Sequence, residues 1–315
     1  MAGTMKKRLL VVSSANIDFV QRVDRLPERG ETVVEQNGYA YVPGGKGANS
    51  ALSFARLGAD TVFCTKMGRD SNADKLKALY SAEGIDTRFI CEDREEATGL
   101  ASIIVEADGS NRIIVYPGAN RSLNENDVEE AFTCYPDGVF VQFEIPDEAV
   151  LAAARFAREA GIPLFVDAGP ARSDFPLEKL TGVEIISPNE TECEILTGIT
   201  PDSVQNCLKA SIRLATVTEA KYVVLKLGSR GSFVYDGKYY HIIPSHKVTV
   251  ADTTAAGDVF TAALSYAYLQ KGDILEAARF ATIAGAICVS REGASTSIPT
   301  LREIKDFAKS LKEGK

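Results

Sequence analysis

Asp252-Thr253-Thr254-Ala255-Ala256-Gly257-Asp258 lies between a polar, β-rich segment and the apolar run Val259 to Leu269. Val259, Phe260, Ala263, Leu264 and Ala267 recur at helical spacing, which predicts a helix beginning inside the stretch. Small residues at a helix start leave several backbone N–H groups unpaired and unobstructed. With the positive end of the helix dipole, those donors favour an anion. The stretch also carries two carboxylates, and Asp258 falls at or just inside the helix start. A negative charge there has a use if it takes a proton from a nucleophile attacking a bound phosphate. Taken alone, the stretch has a simpler structural explanation. Asp in a first helical turn compensates the dipole, and Thr253 or Thr254 is an ordinary N-cap.

The rest of the chain bounds what such a site could serve. Its 315 residues are 45% hydrophobic and 25% charged, enough core for one large α/β domain or two small ones. No apolar run reaches the roughly 18 residues needed to span a bilayer, and no signal peptide is visible. Met1 to Thr4, ahead of Met5, reads as a leader or a cloning remnant. The net charge of -8 argues against nucleic acid as the main partner, because backbone phosphates call for a basic surface. An anionic substrate would have to be held by metal ions, helix N-termini and individual Lys or Arg residues. Cys64, Cys91, Cys134, Cys193, Cys207 and Cys288 form no C-x-x-C pair, and His241 and His246 are the only histidines. No structural zinc is expected, and the spacing reads as reduced, buried thiols in a cytosol.

Leu9 to Ser13 is a short apolar strand, followed at once by Asn16 and Asp18 as a polar loop. In open parallel sheets, ligands bind beyond the carboxyl ends of strands. Residues 30–41 read as β, with Asn37-Gly38 as a turn or bulge. Pro43-Gly44-Gly45-Lys46-Gly47-Ala48-Asn49 is a second glycine-rich loop, and Ala51, Leu52, Phe54, Ala55 and Leu57 continue it at helical spacing until Gly58. The loop is neither a Walker A motif, since Gly47 follows Lys46, nor a G-x-G-x-x-G fingerprint. Residues 61–67 read as a strand and 72–82 as a helix. Residues 98–105 and 111–116 flank Ala107-Asp108-Gly109-Ser110 as a hairpin. With 30–41, they make a small β element that reads as a lid or subdomain. From residue 120 on, strands near 139–143, 164–167, 183–187 and 222–227 alternate with helices near 124–133, 147–160, 190–197, 203–218, 257–271 and 273–290, with a last one from about 300. This pattern predicts a parallel sheet with helices on both faces. Glu144, Ser187-Pro188-Asn189-Glu190-Thr191-Glu192 and Leu227-Gly228-Ser229-Arg230-Gly231 each follow a strand. With residues 252–258, they should line one sheet edge. Each also has a plain structural reading: a loop acid, a capping box at Asn189 and Glu192, and a hairpin turn before Phe233.

Together the glycine-rich stretches resemble the ribokinase (PfkB-type) carbohydrate-kinase family. Gly44 to Asn49 looks like its N-terminal signature and Asp252 to Asp258 like its C-terminal one. Asn189-x-x-Glu192 resembles its magnesium-associated motif, and Asn16-x-Asp18, Gly118-Ala119-Asn120 and Leu227 to Gly231 add to the match over about residues 8–308. The resemblance implies a ribokinase-like α/β fold: a central, mostly parallel sheet flanked by helices. One domain would span residues 1–315, with a β-sheet lid from segments about 17–43 and 96–118 that in relatives often also pairs two subunits. It implies a cytoplasmic enzyme, a homodimer through the lid, that phosphorylates the 5-hydroxyl of D-ribose with ATP. Another sugar or nucleoside, such as deoxyribose, fructose or adenosine, stays open. For a nucleoside, Phe19, Tyr39 and Tyr41 offer surface for a base.

The resemblance also implies roles. Asp258 is the general base, and the backbone of Ala255, Ala256, Gly257 and Asp258 is an anion hole. Asn16, Asp18, Gly45, Lys46, Gly47, Ala48, Asn49 and Glu144 hold the sugar. Asn189, Lys226, Leu227, Gly228, Ser229, Arg230, Gly231 and Gly257 hold the nucleotide, with Thr282 near the adenine. Glu192 acts on Mg²⁺ through water, and Asp252, Thr254, Cys288, Arg291, Gly293 and Ser297 surround K⁺, several through carbonyls. The physics agrees: an uncharged sugar needs paired donors and acceptors, and phosphoryl transfer needs positioning and charge stabilisation. Lys226 departs from the family, standing where relatives often carry Thr; Thr282 and Cys288 also differ from the commonest choices. A non-catalytic sugar- or nucleotide-sensing protein would have lost the base or the anion hole, and a dinucleotide oxidoreductase would carry G-x-G-x-x-G after its first strand.

Overall fold

The computed structural model describes residues 6–313 apart from Gly109, so the Met1–Thr4 segment and the tip of the 107–110 turn lie outside the described residues. The first apolar segment forms β1 (Arg8–Val12). The chain then leaves that sheet: β2 (Asn16–Val23) and β3 (Tyr39–Gly44) belong to a second, smaller sheet. Helix α1 (Lys46–Leu57) returns it, followed by β4 (Asp60–Gly68), α2 (Ser71–Ala82) and β5 (Ile90–Asp93). The hairpin of β6 (Gly99–Glu106) and β7 (Asn111–Tyr116) goes back to the small sheet. Then come α3 (Glu125–Phe132), β8 (Gly138–Gln142), α4 (Asp147–Ala160), β9 (Leu164–Asp167), β10 (Ile185–Ser187), α5 (Glu190–Thr197) and α6 (Val204–Thr218). The chain ends with β11 (Tyr222–Lys226), β12 (Ser232–Tyr235), β13 (Tyr240–Ile243), α7 (Ala256–Lys271), α8 (Ile274–Val289) and α9 (Leu301–Glu313).

The large sheet has nine strands in the order β13-β12-β11-β10-β9-β8-β1-β4-β5. Its pairings are parallel except β11–β12 and β12–β13. Both faces are covered, so successive strand residues feed two cores. Leu9 and Val11 pack with α1, α2, α7 and α8, whereas Leu10 and Val12 pack with α3, α4, α5 and α6. That double burial explains the near-continuous apolar runs of these strands. The order reverses at β1, which pairs with β4 on one side and β8 on the other. A crevice therefore opens beyond the carboxyl ends of β1 and β8. Among the described residues no helix is long and apolar enough to cross a membrane, and all six cysteines are free.

The small sheet, in the order β3-β2-β6-β7, differs from the sequence reading in its first half. Asn16 and Asp18 open strand β2 rather than lying in a loop, because β2 finds partners on both sides, β3 and β6. Residues 30–38 are not a strand; Val34 is 87% exposed and no neighbouring strand takes up that backbone. The glycine-rich loop is partly helix, since α1 begins at Lys46 with Gly45 as its N-cap at φ 89°. Gly58 ends the helix in the left-handed region, as its position predicts.

Phe54 of α1 is fully buried and meets Phe140 of β8 edge-on, ring centroids 5.2 Å apart. Phe54→Ala is expected to cost about 3–5 kcal/mol, measured by chemical denaturation. A midpoint unchanged from the parent would show that α1 is anchored elsewhere.

Candidate active site

Helix α7 begins at Ala256, and its N-cap is Ala255 at φ 61°, a left-handed conformation that a residue with a Cβ rarely adopts. No side chain caps it. The N-cap reading of Thr253 or Thr254 is corrected here: the Thr254 amide and hydroxyl both donate to Asp252 Oδ1, at 2.8 and 2.6 Å. The Ala256 amide donates to Thr253 O at 3.3 Å, whereas those of Ala255, Gly257 and Asp258 find no protein acceptor among the described residues. Three free donors thus stand at the positive end of a helix.

Asp258 is 3% exposed. Its Oδ2 accepts from Asn49 Nδ2 at 2.9 Å, and Lys46 Nζ lies 3.4 Å from its Oδ1. The negative charge of Asp258 in turn raises the Lys46 pKa. Both partners come from the first turn of α1, so the two glycine-rich stretches meet at this carboxylate. Glu144, just past β8, accepts from the Lys46 amide at 3.0 Å and from Ser14 Oγ at 2.5 Å. Asn16 Oδ1 accepts from Asn120 Nδ2 at 2.8 Å. The Asp18 carboxylate is buried with no protein donor among the described residues, and Asn49 Oδ1 is likewise buried without a partner. Such orphan acceptors suit the hydroxyls of a ligand. The backbone must pass close by. A Cβ on Gly44 would overlap the Asp18 carboxylate at 2.1 Å, and one on Gly47 would stand 2.4 Å from Ser13. Ala48 is fully buried in the α1 core.

On the other side of Asp258 lies a cavity of about 750 Å³, lined among others by Lys226, Gly228, Arg230, Gly257 and Thr282. Ser229 and Gly231 also line it. Two residues expected at the nucleotide are turned elsewhere. Leu227 packs in the core, and the side chain of Asn189 caps α5 in a capping box with Glu192. That structural reading of Asn189-x-x-Glu192 is therefore realised. The Thr282 hydroxyl is spent on Ala278 O at 2.8 Å. Lys226 reaches further in than a loop residue would: its Nζ lies 2.6 Å from Asp167 Oδ1 and 3.2 Å from Thr261 Oγ1.

The residues expected around a cation also converge. Asp252 Oδ2 accepts from the Gly293 amide at 3.0 Å. Cys288 Sγ lies 3.7 Å from Thr254 O and 3.1 Å from Ser297 Oγ. The Arg291 guanidinium turns away to Glu303 at 2.6 Å, leaving only its backbone in the cluster.

Sequence reasoning missed Asp167, Ser14 and Gln142. Gln142 donates to Ser14 Oγ at 3.1 Å, so both position Glu144. Asn120, read only as part of a motif, donates to Ala15 O and accepts from the Ala15 amide, fixing the turn from β1 to β2. Asp167 closes the apolar strand Leu-Phe-Val-Asp, the same strand-end signal that pointed to Glu144.

A sheet of this order, with a buried acid at a free helix N-terminus, suits transfer of a phosphoryl group to a hydroxyl. Residues 6–301 match the pfkB family carbohydrate kinases, and the chain belongs to that family, whose members transfer phosphate to a sugar hydroxyl. It is 39% identical over 310 residues to a ribokinase of Haemophilus influenzae, covering 96% of this chain and 99% of the relative. A deoxyribokinase of Salmonella typhi is 28% identical over 301 residues, with 95% and 98% covered. The structure of Arabidopsis thaliana ribokinase complexed with ribose and ATP is similar at a TM-score of 0.88 and 33% identity, over 97% of this chain and 99% of that one.

Burial, and then the neighbouring charge of Glu144, pushes the Asp18 carboxyl up to about 7. A raised carboxyl pKa penalises the folded state only where the group is ionised. The penalty is absent below the unfolded value of 3.8 and complete above about 7. Three pKa units correspond to on the order of 4 kcal/mol. Asp18→Asn is therefore expected to raise the melting temperature by several degrees at pH 8, with the gain vanishing toward pH 4. An equal shift at both pH values would count against it.

Proposed function

We propose that the protein transfers the γ-phosphoryl group of ATP to the 5-hydroxyl of D-ribose. The observation that carries this reading is Asp258, a buried carboxylate held by Asn49 and Lys46 directly under free amides at a helix start. In the reaction, the 5-hydroxyl oxygen forms the new bond to the γ-phosphorus and its proton passes to Asp258. The bond to the β–γ bridging oxygen breaks, and its electrons leave on ADP. The Ala255, Gly257 and Asp258 amides, with Ala256 beside them, meet the charge developing on the phosphoryl oxygens. Asn16, Asp18, Asn49 and Glu144, with the backbone of Gly45 to Ala48 and Lys46, orient the sugar. Gly228 to Gly231, Lys226 and Gly257 border the nucleotide, with Thr282 near the base.

Among the described residues no three His, Cys, Asp or Glu side chains cluster as a metal site. A magnesium ion would be held largely by phosphate oxygens and water, as its chemistry prefers. The unpartnered Asp167 Oδ2 and the neighbouring Glu192 fit that hydrated ion. When bound, it neutralises phosphate charge. Asp252 with the backbone near Thr254, Cys288, Arg291, Gly293 and Ser297 supplies the oxygen-rich loop that K⁺ requires. K⁺ is expected to raise turnover several-fold over Na⁺ at matched ionic strength, and equal rates would remove the ion from the account.

Adenosine and other nucleosides are poorer candidates. Phe19 pairs with Tyr41, and Gln21 with Tyr39, so by strand alternation these rings share the sheet face opposite Asp18 and Asn16. They pack on one another, Phe19 and Tyr41 stacked at 4.9 Å. The small sheet, segments about 17–43 and 96–118, acts as a lid in this reading. Its exposed apolar strand β7, with Ile114 at 70% and Tyr116 at 51%, suits a second copy of the chain, so we read a homodimer through the lid.

A coupled assay over ribose, deoxyribose, fructose and nucleosides tests the function. Ribose is expected to lead, and Asp258→Asn to lower its kcat by about 10²–10⁴-fold while both substrates still bind. A nucleoside or deoxyribose leading the series, or near-parental turnover in the variant, would overturn the reading.

A further inference from the structure

Asn120 takes no part in the transfer chemistry above, yet it is 2% exposed and its side-chain amide is engaged at both ends. It sits in the short 3-10 helix Gly118–Ser122, where the chain comes back from the small sheet. The Ala15 amide donates to its Oδ1 at 2.9 Å. Its Nδ2 lies 3.1 Å from Ala15 O, 2.9 Å from Pro117 O and 2.8 Å from Asn16 Oδ1. A backbone N–H only donates and a backbone carbonyl only accepts. The main chain therefore fixes which end of the Asn120 amide is which.

The same logic passes one residue further. Whatever faces Asn120 Nδ2 must accept, so Asn16 turns its oxygen to Asn120 and its NH2 away. Among the described residues that NH2 has no protein acceptor within hydrogen-bond reach. By strand alternation Asn16 shares a sheet face with Asp18. The Asp18 carboxylate and Asn49 Oδ1, left without partners there, are both acceptors. Acceptors can take up the protons of hydroxyls, but they cannot meet a hydroxyl lone pair or a ring oxygen. The Asn16 NH2 is a donor, the sign those acceptors lack. Gly99, opposite Asn16 across β2 and β6, leaves room for the contact, since a Cβ there would overlap both Asn16 Oδ1 and Asn120 Nδ2.

We propose that Asn120 is a positioning residue for the sugar, holding the Asn16 amide so that its NH2, and not its carbonyl, faces a sugar oxygen. This rests on the reading of this crevice as the sugar site. The hydrogen-bond polarity of that wall is then set by main-chain groups of Ala15 and Pro117, which reach the sugar only through two amides in series.

Calorimetric titration with D-ribose and, separately, with the non-hydrolysable triphosphate AMP-PNP and Mg²⁺ tests it. The proteins compared are the parent, Asn120→Ala, Asn16→Ala, the double variant and Asn16→Asp. Asn120→Ala and Asn16→Ala are each expected to weaken ribose about tenfold and to bind AMP-PNP as the parent does. The double variant should lose no more than Asn16→Ala alone, because Asn120 has nothing left to orient. Asn16→Asp keeps an acceptor for Asn120 and puts another where the NH2 stood, so ribose should weaken at least as much as in Asn16→Ala. If Asn120→Ala does not fold, that variant decides the polarity by itself. Additive losses in the double variant overturn the proposal, because Asn120 then acts by holding the corner at Ala15. Parental ribose affinity in Asn120→Ala or in Asn16→Asp overturns it as well, and so does AMP-PNP weakening in parallel with ribose. A parent that binds no ribose, or an Asn16→Ala variant that binds it unchanged, sinks the sugar-site reading instead.

Discussion

A carboxylate taken out of water must be met by donors or a cation, and Asp258 meets both requirements with residues from a single helix turn more than two hundred positions earlier. Asn49 and Lys46 can reach it only if α1 and α7 pack side by side with their first turns level. That in turn fixes where the free amides of α7 point and where the Gly44–Gly47 backbone passes. The glycines are part of the same constraint. Gly44 and Gly47 leave space already taken by Asp18 and Ser13, so any side chain there would push α1 away from Asp258.

The site is assembled by position on the sheet rather than by proximity in sequence. Ser14 and Asn16 follow β1, Glu144 follows β8, Asp167 ends β9 and Lys226 ends β11. In a parallel sheet these ends share one edge, and the reversal at β1 opens it. Two unlike surfaces result. On the small-sheet side stand unpartnered acceptors, suited to hydroxyl groups. On the α7 side, amides and lysines collect positive potential. Asp258 sits on the boundary, where a proton and a phosphoryl group would pass in opposite directions.

Much of this was legible in the sequence, for physical reasons. The strands of the large sheet are buried on both faces, so their apolar runs stand out, and 164–167 was bounded as it folds. The glycine-rich stretches declared themselves because backbone approach leaves a composition trace. Strand β2 did not, since it is half exposed and begins with Asn16 and Asp18, residues that otherwise mark loops. Residues 30–38 failed in the opposite sense: β-branched residues suggest a strand, but pairing requires a neighbour, which only tertiary structure supplies. The N-cap at Ala255 was also hidden, because a left-handed alanine has no local sequence signal. Asp167 was hidden because its partner Lys226 lies on a separate strand, a contact no local pattern shows.

Asn120 and the three residues Ser13 to Ala15 form one of the corners where the chain passes between the two sheets. Asn16 and Asp18 lie beyond that corner and Asp258 lies before it. Asn16 and Asp18 therefore sit on the small sheet, whereas Asn49, Glu144 and Asp258 sit on the body built around the large one. Asn16, Asp18 and Gly44 are tied to one another by the β2–β3 pairing, so a shift of the small sheet would move all three together. The polar wall of the site is thus split between two sheets, and the asparagine that ties them at this corner touches neither Asp258 nor the α7 amides.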